Sequence, residues 1–422
     1  MKNILLLTMT VSPYRGSEYA VGWNFIKHMD ARNNLFVVYA DFTQESGMDT
    51  AVEKFHLKNT KLFLCGARNF SLKRRSLLEY QYNNYKDNKR LHLLALKKAK
   101  EIIEKEKIDC VHFLNPIGFK EPSFLWTLNK PYVWGPVQAV SQWPFLCFSG
   151  LSLRGKFEFC IRTFFHNLTF FFNSRVRKAF RRADVLIAAN NTSRRQIERV
   201  HRHGCLVRSE NAIETVENET PIVYKGGKLN VIFAGHLNDR KGLFFVLKSL
   251  VLVKKMGYLK RISLNVYGDG YLKSKMKKFC RVHGLEDAVV WHGLASREDV
   301  QTHLQNSHLN LIPSLSEATS TILWEATSKG VPSLVLNHYG MADVLTNDSS
   351  FLIDVTSYNR IVKNIAFTLI EVLNDPNVIR LKSEKTIELA RKYSWDNQIE
   401  FFDKAYDAAI AKFEEKNGKR ET

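Results

Sequence analysis

An apolar run, His308-Leu309-Asn310-Leu311-Ile312-Pro313, passes within a few residues into Ser316-Glu317-Ala318-Thr319-Ser320-Thr321-Ile322-Leu323-Trp324-Glu325-Ala326, and this junction constrains the fold more than any other stretch. The run reads as a buried strand, residues 318–320 as a loop without bulk, and residues 321–329 as a helix stopped by Gly330 and Pro332. Glu317 then precedes the helix, and Glu325 lies in its second turn. At such a corner the free amides of the first helical turn, from Thr319, Ser320 and Thr321, face a crevice that the helix dipole makes favourable for negative charge. A diphosphate fits there without a metal ion. Glu317, on the far side of that anion, is placed to accept hydrogen bonds from sugar hydroxyls, and Glu325 from a ribose diol. The outline is that of a nucleotide-sugar site. Two glutamates at this spacing also suit a solvated helix face.

Upstream, Val231-Ile232-Phe233-Ala234-Gly235-His236-Leu237-Asn238-Asp239-Arg240-Lys241-Gly242 repeats the plan of strand, glycine turn and helix start. Arg240 and Lys241 are the strongest cationic candidates for the donor diphosphate, because a cation pair in a dry cleft between domains acts far more strongly than in water. An exposed pair at a helix start is the plainer alternative. Glu-x7-Glu behind a strand ending in Pro-Ser, followed by Gly330-Val331-Pro332, resembles the signature of retaining family 4 glycosyltransferases, and the Gly235 to Gly242 stretch is similar to the same family's strand and Lys-Gly helix start. Val266-Tyr267-Gly268-Asp269-Gly270 and Val290-Trp291-His292-Gly293 fall between them as strand-then-turn units. The likeness covers most of residues 229–395.

That resemblance implies an α/β chain of GT-B fold: two Rossmann-like domains facing a central cleft, with a C-terminal helix crossing back to the first domain. It implies a retaining, metal-independent transferase of hexosyl type. The donor is a nucleoside-diphosphate sugar, UDP- ahead of GDP-, and there is no cofactor. Two departures stand out. His236 occupies a place where the family often has arginine, and Trp134-Gly135-Pro136 occupies the loop where many members place a histidine.

At 422 residues the chain is too long for one core and suits two domains. The expected division is an acceptor-binding domain over 1–208, a polar linker over 209–228, a donor-binding domain over 229–395, and a returning helix and tail over 396–422. Disorder is expected only from residue 414 onward. Six scattered cysteines read as reduced core residues of a cytosolic protein. No metal-ligand cluster is visible, and the first ten residues form a strand rather than a leader. The net charge is +20, and residues 1–204 hold 33 Lys and Arg against 16 Asp and Glu, so the basic excess belongs to the first domain. Such a surface serves an anionic acceptor, anionic lipid or nucleic acid. No nucleic-acid-binding signature accompanies it, so nucleic acid is not expected.

Along the first domain, the strand over the first ten residues leads through Gly16-Ser17-Glu18 into a helix over 19–29. Gly16 permits close backbone approach to a phosphate, or it belongs to an ordinary strand-helix turn; the resemblance favours a ligand loop. A basic helical stretch over 72–106 reads as a solvated face. Strand C-termini in open parallel sheets are where ligands bind, so His112, Asn115 and Trp134 are candidates on the acceptor side or in the cleft, with a satisfied core histidine as the alternative for His112. In the donor domain the loop Asn337-His338-Tyr339-Gly340-Met341 is a candidate lining for the sugar pocket, with His338 as its site residue. From 145 to 182 the chain is aromatic and basic together. The charged and polar interruptions at Glu158, Arg162, His166 and Asn167 exclude a spanning helix of ~20 apolar residues. The segment is either an interfacial helix on an anionic membrane, at about 1 kcal/mol per near-surface cation, or a core helix with a basic end.

Taken with the basic segment, the resemblance implies sugar transfer from a nucleotide donor to a glycan or lipid-linked acceptor, in the making of a bacterial surface polysaccharide such as capsule, O-antigen or exopolysaccharide. The expected location is the cytoplasm, extending to the inner face of the plasma membrane. The alternatives are a non-catalytic adaptor that docks a membrane polysaccharide complex with a degenerate donor site, and a nucleotide-sugar epimerase of the same architecture.

Overall fold

Runs such as Ile4-Leu5-Leu6-Leu7 and Leu35-Phe36-Val37-Val38 are apolar on both faces, which suits parallel strands covered by helices on each side. The computed structural model describes residues 1–16, 18–41, 47–48, 50–67, 77–217 and 219–421. It divides into two compact units: Met1–Val140 with His166–Glu210 and Asp396–Thr422, and Ser141–Phe165 with Asn211–Trp395. Ser17 and residues 72–76, which the sequence reading places in the first loop and in the basic helix, lie outside the described residues; that helix occupies Leu77–Lys105.

In the first unit β1 (Asn3–Thr8), β2 (Asn34–Asp41), β3 (Thr60–Ala67), β4 (Cys110–Asn115), β5 (Tyr132–Val137), β6 (Val185–Ala188) and β7 (Leu206–Val207) form one parallel sheet in the order β3-β2-β1-β4-β5-β6-β7. The order reverses between β1 and β4, the place where the C-termini of a doubly wound sheet open a crevice. Leu5, Leu7, Val38, Val111, Phe113 and Trp134 build a core on one face of this sheet. The last helix, Trp395–Glu421, belongs to this unit from Asp396 onward. Phe402 and Tyr406 are fully buried, and Phe402 meets Phe25 edge-on at 4.8 Å. Helix continues through residues 414–421, where the sequence reading leaves a disordered tail; Glu, Lys and Arg there are good helix formers that extend an anchored helix cheaply.

In the second unit β8 (Leu229–Ala234), β9 (Ile262–Tyr267), β10 (Val289–Gly293), β11 (Leu309–Ile312), β12 (Ser333–Leu336) and β13 (Phe351–Ile353) form a second parallel sheet, ordered β10-β9-β8-β11-β12-β13. Here the reversal lies between β8 and β11, whose C-termini carry the two stretches singled out above. Two sequence boundaries need correction. Residues 141–165 group with the second unit rather than with the first domain, because Trp143, Cys147 and Leu151 bury their side chains in its core. Residues 211–228 are likewise part of that unit rather than a free linker. Ile213 is buried and exchanges backbone hydrogen bonds with Tyr393 (2.8 Å) and Trp395 (3.0 Å), and Tyr224 is in the core. The polar composition of the stretch conceals these apolar anchors.

The cysteines are all free, as their spacing implies, but only Cys110, Cys147 and Cys280 are buried, and Cys160 is exposed on a helix. Among the described residues no helix is long and apolar enough to cross a membrane.

Candidate functional site

Two loops meet at the switch point of the second sheet. The loop after β8 carries Arg240 and Lys241 and ends at Gly242, which takes φ +71° and starts the Leu243–Lys255 helix. A Cβ on Gly242 would come within 1.9 Å of the Pro313 carbonyl oxygen, so glycine alone lets this loop lie against the end of β11. The Leu315 amide then donates to the Arg240 carbonyl at 2.7 Å. That backbone tie places Arg240, Lys241 and Glu317 side by side.

Glu317 is the centre of the cluster. Its Oε1 lies 2.7 Å from Arg240 Nη1 and 2.5 Å from Lys241 Nζ, and Arg240 also donates to the Ser316 carbonyl at 2.9 Å. Burial alone would push the Glu317 carboxyl up, but the charges of Lys241 and then Arg240 outweigh it and hold it below the ordinary carboxylate range. His338 Nε2 donates to the Ser314 carbonyl at 2.8 Å. Burial lowers the affinity of this imidazole for a proton, against the pull of the Ser314 carbonyl and of Glu317.

Behind Glu317 the helix Thr321–Ser328 begins with Ser320 as N-cap, and no side chain caps it. Trp324 Nε1 donates to Thr319 Oγ1 at 3.1 Å, which fixes the loop before it. Glu325 is held by Arg297 at 2.7 Å. Gly235 stands at the end of β8, with the Lys241 stem over it. Arg240, Lys241, Glu317, Thr319, Ser320, Thr321, Gly235 and His338 therefore gather at the C-terminal edge of the second sheet. Glu325 is one turn into the helix, with Arg297 as its partner.

Two further side chains stand near this cluster: Arg162, which the sequence gives no role there, and Tyr339 of the candidate sugar-pocket loop. Arg162, on the Leu153–Phe172 helix, carries a buried Nε with no hydrogen-bond partner among the described residues. Burial, then the positive charge of Arg240, lowers its proton affinity, while Glu158, Tyr339 and Glu317 act in the opposite sense. Tyr339 takes φ +51°, a conformation that costs a non-glycine residue about 1–2 kcal/mol. Its hydroxyl donates to the Gln142 carbonyl, and the next residue, Gly340, packs so closely on the Ala318 carbonyl that a Cβ would lie 1.6 Å from the oxygen. The signal for Arg162 was legible: one arginine breaks an aromatic helix on the side away from Phe157 and Phe164.

The first unit disposes of three candidates differently. His112 is fully buried within β4, the central strand of the sheet: Nδ1 accepts from the Tyr406 hydroxyl (2.9 Å), and Nε2 donates to the Gly135 carbonyl (2.7 Å). Asn115 is also buried, bonded to Thr8 Oγ1 (2.7 Å), the Thr10 carbonyl (2.7 Å) and the Glu18 carbonyl (3.1 Å), and so it stitches β4 to the loop after β1. Trp134 packs between Phe113 and Phe180 in the core. None of the three presents a side chain to an acceptor. Gly16 is exposed with open space around its Cα. Nearby Glu18, named in the sequence only as part of the first loop, is raised above the ordinary carboxyl range by burial, while the hydrogen bond it accepts from the Ile117 amide works in the opposite sense. Among the described residues no group of three or more His, Cys, Asp and Glu is placed to hold a metal ion.

Residues 216–412 match the model of the family described as Glycosyl transferases group 1. A 2-deoxystreptamine N-acetyl-D-glucosaminyltransferase from Niallia circulans is 31% identical over 128 residues, 30% of this chain and 32% of that protein. The putative colanic acid biosynthesis glycosyltransferase WcaL of Escherichia coli is 22% identical over 216 residues, 47% of this chain and 51% of that protein. The chain thus spans about a third of the length of the first of these relatives and about half of the second. A TarM variant from S. aureus, solved in complex with fondaparinux, alpha-GlcNAc-glycerol and UDP, superposes with a TM-score of 0.65 at 13% identity, over 96% of this chain and all of that one. The strand orders and these likenesses agree on the fold: the chain has the GT-B fold, and the match to the Glycosyl transferases group 1 family covers most of the second unit and the start of the returning helix.

Proposed function

We propose that the chain is a retaining, metal-independent glycosyltransferase that moves a hexose-type sugar from a nucleoside-diphosphate sugar, UDP- ahead of GDP-, to a glycan or lipid-linked acceptor in surface polysaccharide synthesis. The observation that carries this reading is the cluster of Arg240, Lys241 and Glu317 at the switch point of the second sheet. One carboxylate faces two paired cations, and the buried Arg162 adds a third positive charge that interacts electrostatically with Arg240 and Glu317. The site therefore keeps a positive excess that suits a diphosphate, in surroundings dry enough to make each charge count. As the glycosidic bond to the donor phosphate breaks, negative charge grows on the leaving diphosphate, and Arg240 and Lys241 stabilise it where a metal ion would otherwise serve. Glu317, ionised and held by those cations, accepts hydrogen bonds from donor hydroxyls. Thr319, Ser320 and Thr321 offer backbone amides at the helix start, and Glu325 addresses the ribose.

The relatives favour this setting, since one acts in colanic acid synthesis by name and a structural neighbour was solved with UDP. A lipid-linked acceptor places the work at the inner face of a membrane. The adaptor reading draws on the absence of a family histidine beside Trp134, and the epimerase reading on fold alone. Calorimetric titration with UDP separates the adaptor from both enzymes. Binding in the micromolar range is expected, and Lys241→Ala should weaken it by about 10- to 100-fold, the loss of one charge-assisted hydrogen bond. Hydrolysis of UDP-sugars should fall with Glu317→Ala as well. No binding by the wild type, or turnover unchanged in both variants, rules the site out. Conversion of donor to an epimer without acceptor would select the epimerase.

A further inference from the structure

The helix Leu153–Phe172 is amphipathic with its polarity reversed. Leu153, Phe157, Cys160, Phe164, Leu168 and Phe171 recur at steps of four, three, four, four and three residues, so they fall on one stripe of a 3.6-residue helix. All six are exposed: Leu153 by 87%, Phe157 by 62% and Phe164 by 63%. The opposite side turns inward. Phe159 packs on Phe148 and Trp143, and the Arg162 Nε is buried. A water-facing helix normally shows the reverse arrangement, and large exposed apolar stripes mark surfaces that meet a partner or a membrane.

Charge decides which. From residue 153 to 182 the chain has eight Lys and Arg against the single carboxylate of Glu158. Arg154 lies exposed at the start of the helix, and the next helix, Ser174–Arg182, exposes Arg177, Lys178, Arg181 and Arg182. A second copy of the chain laid on the stripe would bring two strongly basic segments together with no acidic complement. An anionic lipid surface supplies the missing charge and receives the rings at the boundary of headgroups and acyl chains. Among the described residues no helix spans a bilayer, so the contact lies in the interface plane. We propose that this stripe docks the protein on an anionic membrane leaflet. The docking deepens the reading of a lipid-linked acceptor and rests on that reading for its setting alone.

Co-sedimentation of the full chain with vesicles tests it. Vesicles of phosphatidylcholine containing about a third phosphatidylglycerol should bind the wild type, phosphatidylcholine alone should not, and raised salt should weaken binding. Phe157→Ser with Phe164→Ser should lower the partition coefficient by about tenfold or more, while UDP binding and the thermal midpoint stay as in the wild type. Arg177→Glu with Arg181→Glu should weaken binding to anionic vesicles in the same way. Absence of binding to anionic vesicles, or binding indifferent to the phenylalanine pair, overturns the proposal. So does light scattering that shows a wild-type dimer dispersed by those two serines, which would assign the stripe to a second copy. Because UDP binding is measured on the same samples, a failure of the donor site reads separately from a failure of docking.

Discussion

At the scale of single residues, the two sheets treat their strand ends in opposite ways. In the second unit the C-terminal ends of β8 and β11 leave Arg240, Lys241 and Glu317 partly accessible, with charge to spare for a ligand. In the first, His112, Asn115 and Trp134 are consumed by their own neighbours. His112 carries a testable consequence. Burial drives its affinity for a proton down, to a value of about 4 from the ordinary 6.5, although the Gly135 carbonyl works against this. The imidazole therefore stays neutral in the folded protein while the unfolded chain takes up a proton. Stability from this residue is complete above 6.5 and is lost as the pH falls from there toward about 4, by about 3 kcal/mol in all. His92 and His201, lowered by burial to about 3 and about 4, act in the same direction. Urea unfolding across that interval should show stability falling less steeply with acid in His112→Gln, by one proton, or about 1.4 kcal/mol per pH unit. Equal slopes in the two proteins would mean that His112 is already exposed to solvent protons. The contrast also shows what sequence could tell. Glu317 with Arg240 and Lys241 was legible because their spacing fixes them to loops at strand ends, whereas burial at such an end depends on side chains as remote in sequence as Tyr406.

At the scale of elements, the Leu153–Phe172 helix joins two tasks. Its exposed stripe is apolar, and its inward side brings Arg162 toward Arg240 and Glu317. What holds its start in place is Asp239, next to the cation pair: its carboxylate accepts from the Ser152 amide (2.8 Å), the Ser152 hydroxyl (2.5 Å) and the Tyr271 hydroxyl (2.8 Å). Gly155 packs so closely that a Cβ would lie 2.5 Å from the Asp239 carboxyl. If Arg162 works on the donor, Arg162→Ala should weaken UDP binding by about tenfold, the worth of one modest charge-assisted contact. Asp239→Ala should then weaken it too, by releasing the helix start. The double variant should lose less than the two single losses combined, since both act through one group. A purely structural Asp239 would lower the thermal midpoint and leave nucleotide affinity untouched. The periodicity of the segment was visible in the sequence, but it permits two opposite orientations. Which side faces inward is decided by Trp143, Phe148, Asp239 and Tyr271, and nothing within the helix's own pattern reports them.

At the scale of the whole molecule, the alternation of apolar runs with helical stretches was enough to announce two doubly wound sheets, because parallel strands need crossovers and crossovers need helices. Unit boundaries were less legible, since a boundary is a matter of which distant side chains share a core. The first unit is assembled from three separate stretches of chain, and the last of them, from Asp396, is a helix that follows the whole of the second unit in sequence. Its contribution is large. Phe402 and Tyr406 have no exposed surface, Ala405 and Ala409 are buried beside them, Gln398 Nε2 donates to the Ser209 carbonyl at 2.7 Å, and Lys416 pairs with the buried Asp184 at 2.6 Å. Removing one large ring from such a place costs about 3–5 kcal/mol, a sizeable part of a domain's net stability of about 5–15 kcal/mol. Phe402→Ala should therefore lower the thermal midpoint of the first unit by several degrees or more. A chain ending at Trp395 should leave that unit unfolded or aggregated, because Phe25, His112 and Asp184 lose their cover together. Far-UV circular dichroism during a thermal scan reads both changes. If the shortened chain melted like the intact one, the returning helix would be an accessory to the first unit rather than part of its core.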